Sequence, residues 1–127
     1  MKINFLTFAN SDYMTTDRIA EQAKEFGTFH EIIQTNEENI KEFIEKHRNF
    51  INTHKAGYGF WIWKPKIIYD TLQKLQDNEI LMYCDAGIYI NKNGKKRFDF
   101  YIEKLKEYDM VTFSTSDKYK AQQYVKN

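Results

Sequence analysis

The sequence predicts an α/β protein, a mostly parallel, twisted sheet with helices on its faces. Short β-favouring runs (KINFLTF at 2–8, FHEIIQ at 29–34, EILMYC at 79–84 and DMVTFS at 109–114) alternate with helical stretches, and crossover helices between strands make a parallel sheet. The first run is almost continuously apolar, the signature of a strand covered on both faces, and the third is a second apolar strand. With 127 residues and 42% hydrophobic content, the chain can bury one modest core, so a single domain over 1–127 is expected.

Each element has its own signal. After the first strand, ANSDYMTTD is polar and turn-like. From Arg18 onward, Ile19, Ala23 and Phe26 recur at helical spacing, and Gly27 supplies a stop. After the second strand, Thr35 and Glu38 stand three apart as a capping box, and one helix carries Ile40, Phe43, Ile44, His47 and Ile51 on one face. The stretch NTHKAGY (52–58) breaks the pattern. Pro65, the only proline, stands where a helix begins, because its missing N–H costs nothing in a first turn. The expected buried stripe of that helix is Ile67, Ile68, Leu72 and Leu75, and Asp77-Asn78 ends it. Beyond the third strand come Asp85-Ala86-Gly87, a short extended IYIN (88–91) and the turn KNGK. A last helix follows with Phe98, Tyr101, Ile102, Leu105 and Tyr108 inward, and then the strand DMVTFS.

Composition narrows the function. Nineteen Lys and Arg against eighteen Asp and Glu give a net charge of +1, so no global field draws the protein onto a nucleic acid or an anionic bilayer. The basic run Lys92, Lys95, Lys96 and Arg97 reads as the solvated start of a helix. Cys84 is the only cysteine, which excludes an internal disulfide and a multi-cysteine zinc site and suits a reducing compartment. No stretch reaches the roughly 20 apolar residues of a membrane span, and the first residues do not read as a signal peptide. A cytoplasmic protein without a transmembrane segment is expected.

In a parallel sheet, ligands bind outside the C-terminal strand ends, here Phe8-Ala9-Asn10, Gln34-Thr35, Cys84 to Gly87 and Ser114-Thr115. Asp85 leaves its strand at that edge, flanked by small Ala86 and Gly87; it is a ligand-binding carboxylate or a plain turn cap. The stretch GYGFWIWKP (57–65) concentrates Tyr58, Phe60, Trp61, Trp63 and Lys64 ahead of a helix N-terminus. Such a group forms a stacking surface with a cation for a phosphate, or else a packed helix-entry plug. Cys84 has no base near it in sequence and reads as inert packing. His30, His47 and His54 lack metal-ligand spacing, although His54 stands in the loop beside the aromatic block.

Taken together, HKAGYGFWIWKPKIIYDTL (54–72) followed by DNEILMYCDAGIYIN (77–91) resembles a family of small GT-A-type glycosyltransferases from bacterial surface-polysaccharide loci and large DNA viruses. The W-x-W-K-P and Y-x-D blocks stand in the family's order with a helix between them, and the resemblance extends over most of the chain, from the first strand to SDKYKAQQYV. It implies transfer of a sugar from a UDP- or GDP-sugar donor to a saccharide or other hydroxyl acceptor. It also implies a donor site at Thr7, Phe8 and Ala9 for the base, with Tyr58, Trp61, Trp63, Lys64, Asp85, Ala86 and Gly87 around the rest. A divalent ion, Mn²⁺ or Mg²⁺, is implied at Asp85. Gly87 stands where the family's second aspartate would be.

The chain stops at Asn127, short of the family's acceptor-binding part. The expectation is therefore a minimal or truncated GT-A-like domain, a member completed as a homo-oligomer, or the donor-binding half of a split enzyme. No general base can be named. A non-catalytic nucleotide-sugar binding module and a flavodoxin-like interaction protein, its aromatics all core, are the competing readings.

Overall fold

The structure, a computed structural model, describes residues 1–113. Three parallel strands form an open sheet in the order β2-β1-β3, with β1 Ile3–Phe8, β2 Glu31–Thr35 and β3 Ile80–Tyr83. All six residues of β1 are buried, as a central strand covered on both faces requires. Successive side chains of β1 point to opposite faces and enter two separate cores. Phe5 and Ala9 pack with Ile19 and Ala23 of α1 (Asp17–Phe26) and with Cys84 and Ala86. Leu6 and Phe8 pack with Ile40, Ile44, Ile51, Trp63 and Ile67 on the other side. The α/β class expected from the sequence is thus present as a small, open, helix-flanked parallel sheet.

Gly27 ends α1 in the left-handed region at φ 77°, and its N–H donates to the Lys24 carbonyl. The expected capping box lies one residue further on. Asn36 Oδ1 accepts from the Glu38 N–H and Asn39 Oδ1 accepts from the Asn36 N–H. Thr35 stays in the strand, where its hydroxyl donates to the Thr7 carbonyl at 2.6 Å.

The expected single helix over 37–51 is divided. A 3-10 turn at Glu37–Ile40 leads into α2 (Lys41–Lys46), and His47, at φ −108° and ψ 16°, separates α2 from α3 (Arg48–Thr53). Ile40, Ile44 and Ile51 are buried as expected. A short turn, α4 (Gly57–Phe60), precedes α5 (Trp63–Leu72), which puts Pro65 inside the first turn rather than at its first residue. The buried stripe of α5 is Trp63, Ile67 and Thr71, whereas Leu72 is exposed. Trp63 stacks on Phe8 with ring centroids 4.0 Å apart, which sets the rotation of the helix. Thr71 then tolerates burial because its hydroxyl donates to the Ile67 carbonyl at 2.8 Å.

Residues 88–91 do not pair as a strand; Arg18 and Gln22 of α1 take up their backbone groups instead. The described residues from Asn93 to Phe113 belong to a second compact unit, which contains α6 (Lys95–Lys104). Within it Phe98, Tyr101, Ile102 and Leu105 are half-buried, and Tyr108, expected inward, is exposed. Residues 109–113 form no strand. Ser114-Thr115 and SDKYKAQQYV lie outside the described residues. No helix among the described residues is long and apolar enough to cross a membrane.

Candidate functional site

The sequence around the aromatic block folds into an unusual turn. Gly57, Tyr58, Gly59, Phe60 and Trp61 all have positive φ, at 60°, 52°, 84°, 50° and 57°, forming one turn of left-handed helix. Three of the five carry side chains, at roughly 1–2 kcal/mol each for that handedness. Hydrogen bonds from Phe60 N–H to Ala56 O (2.9 Å), Trp61 N–H to Gly57 O (3.0 Å) and Gly59 N–H to His54 O (2.8 Å) hold it. The glycines are there for space as well as torsion. A Cβ on Gly57 would stand 2.3 Å from the Trp61 ring, and one on Gly59 would stand 2.7 Å from Ile51 Cγ1.

The turn divides its aromatics. Trp63 is 6% exposed, and its indole N–H donates to the Gly57 carbonyl at 3.0 Å; it is mostly core. Phe60 turns away and packs against His54, 4.6 Å between centroids, which in turn lies 4.2 Å from Phe50. Trp61 stays 52% exposed.

Trp61 and Tyr58 face an open cleft of about 340 Å³ outside the C-terminal ends of β1 and β3. Of the residues singled out from the sequence, Phe8, Ala9, Tyr58, Trp61, Trp63, Asp85, Ala86 and Gly87 all line it. Thr7 does not, being fully buried within the sheet. Lys64 is not part of the wall, but its Nζ lies 2.8 Å from Asp85 Oδ1 at the rim. That oxygen also accepts a hydrogen bond from the Tyr83 hydroxyl at 2.8 Å. The ammonium lies 5.2 Å from the Tyr83 ring centroid and 5.8 Å from that of Trp63, within cation–π range.

Four further cleft residues are Asn10, Tyr13, Met14 and Lys55. Asn10 is 8% exposed and its Oδ1 has no hydrogen-bond partner. An unsatisfied buried acceptor is costly, and this one is closed off from the cleft as well as from protein donors. Its position just past β1 was the available sequence signal. Nothing local marked Tyr13, Met14 or Lys55, which the loops bring in from outside the strand ends.

Arg18 was legible only as a helix start, yet it secures the loop after Asp85. Its guanidinium donates to the Ala86 carbonyl at 2.6 Å and the Ile88 carbonyl at 3.0 Å, and stacks 3.8 Å over Tyr89. Gln22 Oε1 accepts from the Ile90 N–H at 3.0 Å.

Burial, together with the hydrogen bond and charge of Asp85, pushes the Tyr83 phenol well above its usual range. It is therefore a fixed neutral donor. Burial first, then the charge of Asp85, pushes the Cys84 thiol up to about 11, which keeps it protonated and a poor nucleophile near neutrality. Tyr58 is also raised, by burial and then by the charge of Glu37.

The donor set does not fit a divalent ion. Among the described residues no three His, Cys, Asp or Glu side chains gather. The carboxylate of Asp85 is already bound to an ammonium, and Gly87 adds none.

A cleft of this kind can take a flat or apolar ring against Trp61 and Tyr58 and an anion at Lys64 and Lys55. Comparison with protein-family models, with curated proteins and with solved structures finds no match for this chain.

Proposed function

We propose that the cleft binds a nucleoside diphosphate sugar and that the chain is a GT-A-like glycosyltransferase domain. The observation that carries this reading is the convergence of the WKP turn and Asp85, more than twenty residues apart in sequence, on one cleft at the strand ends. Aromatic walls suit a base or sugar face, and the lysines suit a diphosphate. In the transfer, an acceptor hydroxyl oxygen bonds to the anomeric carbon and loses its proton. The bond to the donor's phosphate oxygen breaks with its electron pair leaving on the diphosphate.

A second reading, a nucleotide-sugar binding module without turnover, is favoured by one specific feature. Among the described residues Asp85 is the only carboxylate lining the cleft, and it is ion-paired to Lys64, so none of them offers a separate general base there. Isothermal titration with UDP, GDP and their sugars, alongside a donor-hydrolysis assay, separates the two. Binding with turnover supports the transferase, binding without turnover supports the module, and absence of binding overturns both. Trp61→Ala is expected to keep the fold and weaken nucleotide affinity about tenfold, within the range of one base-stacking contact.

A further inference from the structure

The surroundings of Asp85 disagree with the divalent ion that the family resemblance implies. A divalent ion at a nucleotide is held by one or two carboxylates together with waters and the substrate's phosphates, and those carboxylates must be free to bind it. Among the described residues one carboxylate lines the cleft, and its Oδ1 already accepts from both the Lys64 ammonium and the Tyr83 hydroxyl, each at 2.8 Å. A metal ion at that oxygen would stand directly against another cation. Space is not what is missing, because a Cβ on Gly87 would meet nothing within 4 Å. The position that would supply a second carboxylate simply carries no side chain.

What occupies the rim instead is a positive charge belonging to the chain. Lys64 is the second residue of α5, so its backbone is fixed by a helix rather than by a loose loop. Its ammonium is held by Asp85 and lies over the Tyr83 and Trp63 rings. An ammonium has three N–H donors. With one directed at Asp85, two remain for phosphate oxygens, and the exposed Lys55 on the same cleft adds a second cation.

We propose that the cleft takes the diphosphate of its ligand on the Lys64 ammonium in place of a divalent cation, so that nucleotide binding is independent of metal. This rests on the nucleotide-sugar reading above. Binding through lysine charge at a partly exposed rim weakens as salt is added, whereas a neutral ring-stacking contact does not.

The test is calorimetric titration of the full chain with UDP and with GDP, each in EDTA and in Mn²⁺, at low and high KCl. The expected result is the same affinity, within about twofold, in EDTA and Mn²⁺, falling as KCl rises. Lys64→Gln is expected to lower affinity about tenfold or more, the scale of a lost charge-assisted hydrogen bond, with an unchanged thermal midpoint. Lys64→Arg should retain most of the binding. Binding that appears only with Mn²⁺ overturns this inference and leaves the nucleotide reading standing. A folded Lys64→Gln that binds like the parent also overturns it, and the EDTA comparison stands even if that variant fails to fold. No binding under any condition overturns the inference and the reading together.

Discussion

Trp61 lies across the α-carbon of Gly57, so close that a single added methyl would stand 2.3 Å from two carbons of the indole and 2.7 Å from a third. The indole therefore has its place on the cleft because position 57 has no side chain. Gly57→Ala combines this clash with a φ of +60°, and it is expected to destabilise by about 1–3 kcal/mol, the range for a non-glycine residue held in a sparsely populated conformation. Urea denaturation reads the loss, and tryptophan emission reads the displaced ring. Gly87→Ala is the control: its Cβ has open space, and a change within about 0.5 kcal/mol is expected.

Gly87→Asp tests the carboxylate count directly. The same open space admits the longer side chain two residues past Asp85. Added ligand charge strengthens Mn²⁺ binding, and the variant is expected to gain about tenfold or more in Mn²⁺ affinity over the parent. Titration of each with Mn²⁺ alone gives the comparison. Equal affinities would show that Asp85 and position 87 do not face a common ion.

Arg18→Met removes the guanidinium that spans from α1 to the Ala86 and Ile88 carbonyls and keeps an apolar stem. The loss is expected to be about 1.5–3 kcal/mol, the scale of hydrogen bonds to a charged group. The loop carrying Asp85 should loosen with it. Amide exchange is expected to quicken at residues 85–90 more than in β1, and nucleotide affinity should fall although Arg18 does not line the cleft. Unchanged exchange in that loop would mean that Gln22 and the core contact of Ala86 hold it unaided.

Alkaline pH provides a fourth expectation. Folding raises the Cys84 thiol from an ordinary value of 9.0 to about 11, so between those values the unfolded chain has lost a proton that the folded chain keeps. Stability is then fully present below pH 9 and is lost as pH rises toward 11, by up to about 2–3 kcal/mol from this group. Tyr83, raised in the same direction, extends the loss to higher pH. Chemical denaturation at pH 8, 9.5 and 11 reads the slope, which Cys84→Ala should flatten. A slope unchanged in that variant would assign it to other groups.

Much of the cleft was legible because its residues follow from local rules. A strand's last residues and the loop after it must emerge at the C-terminal edge of a parallel sheet, so Phe8, Ala9, Asp85, Ala86 and Gly87 could be placed there from the positions of the apolar runs. Gly27 could be read as a helix stop from its type alone. The errors fall where a choice depended on partners distant in sequence. Leu72 and Thr71 differ by one position on α5, and the stack of Trp63 on Phe8 decided which of them is buried. IYIN (88–91) was expected as a short extended segment, but it forms no strand, and its backbone groups are taken up by Arg18 and Gln22 of α1.

The sequence alone determined the places of the three paired strands, the double coverage of β1 and the end of the sheet at which the aromatic turn and Asp85 emerge, because hydrophobic periodicity and chain direction act over a few neighbouring residues. Only the tertiary structure decided that the Lys64 ammonium rests on Asp85, that Trp61 is the exposed indole of the cleft while Trp63 is mostly core, and that Gly57 makes room for Trp61. Those outcomes depend on distances between atoms that the chain brings together from separate elements, and no local pattern of residue types encodes a distance across space.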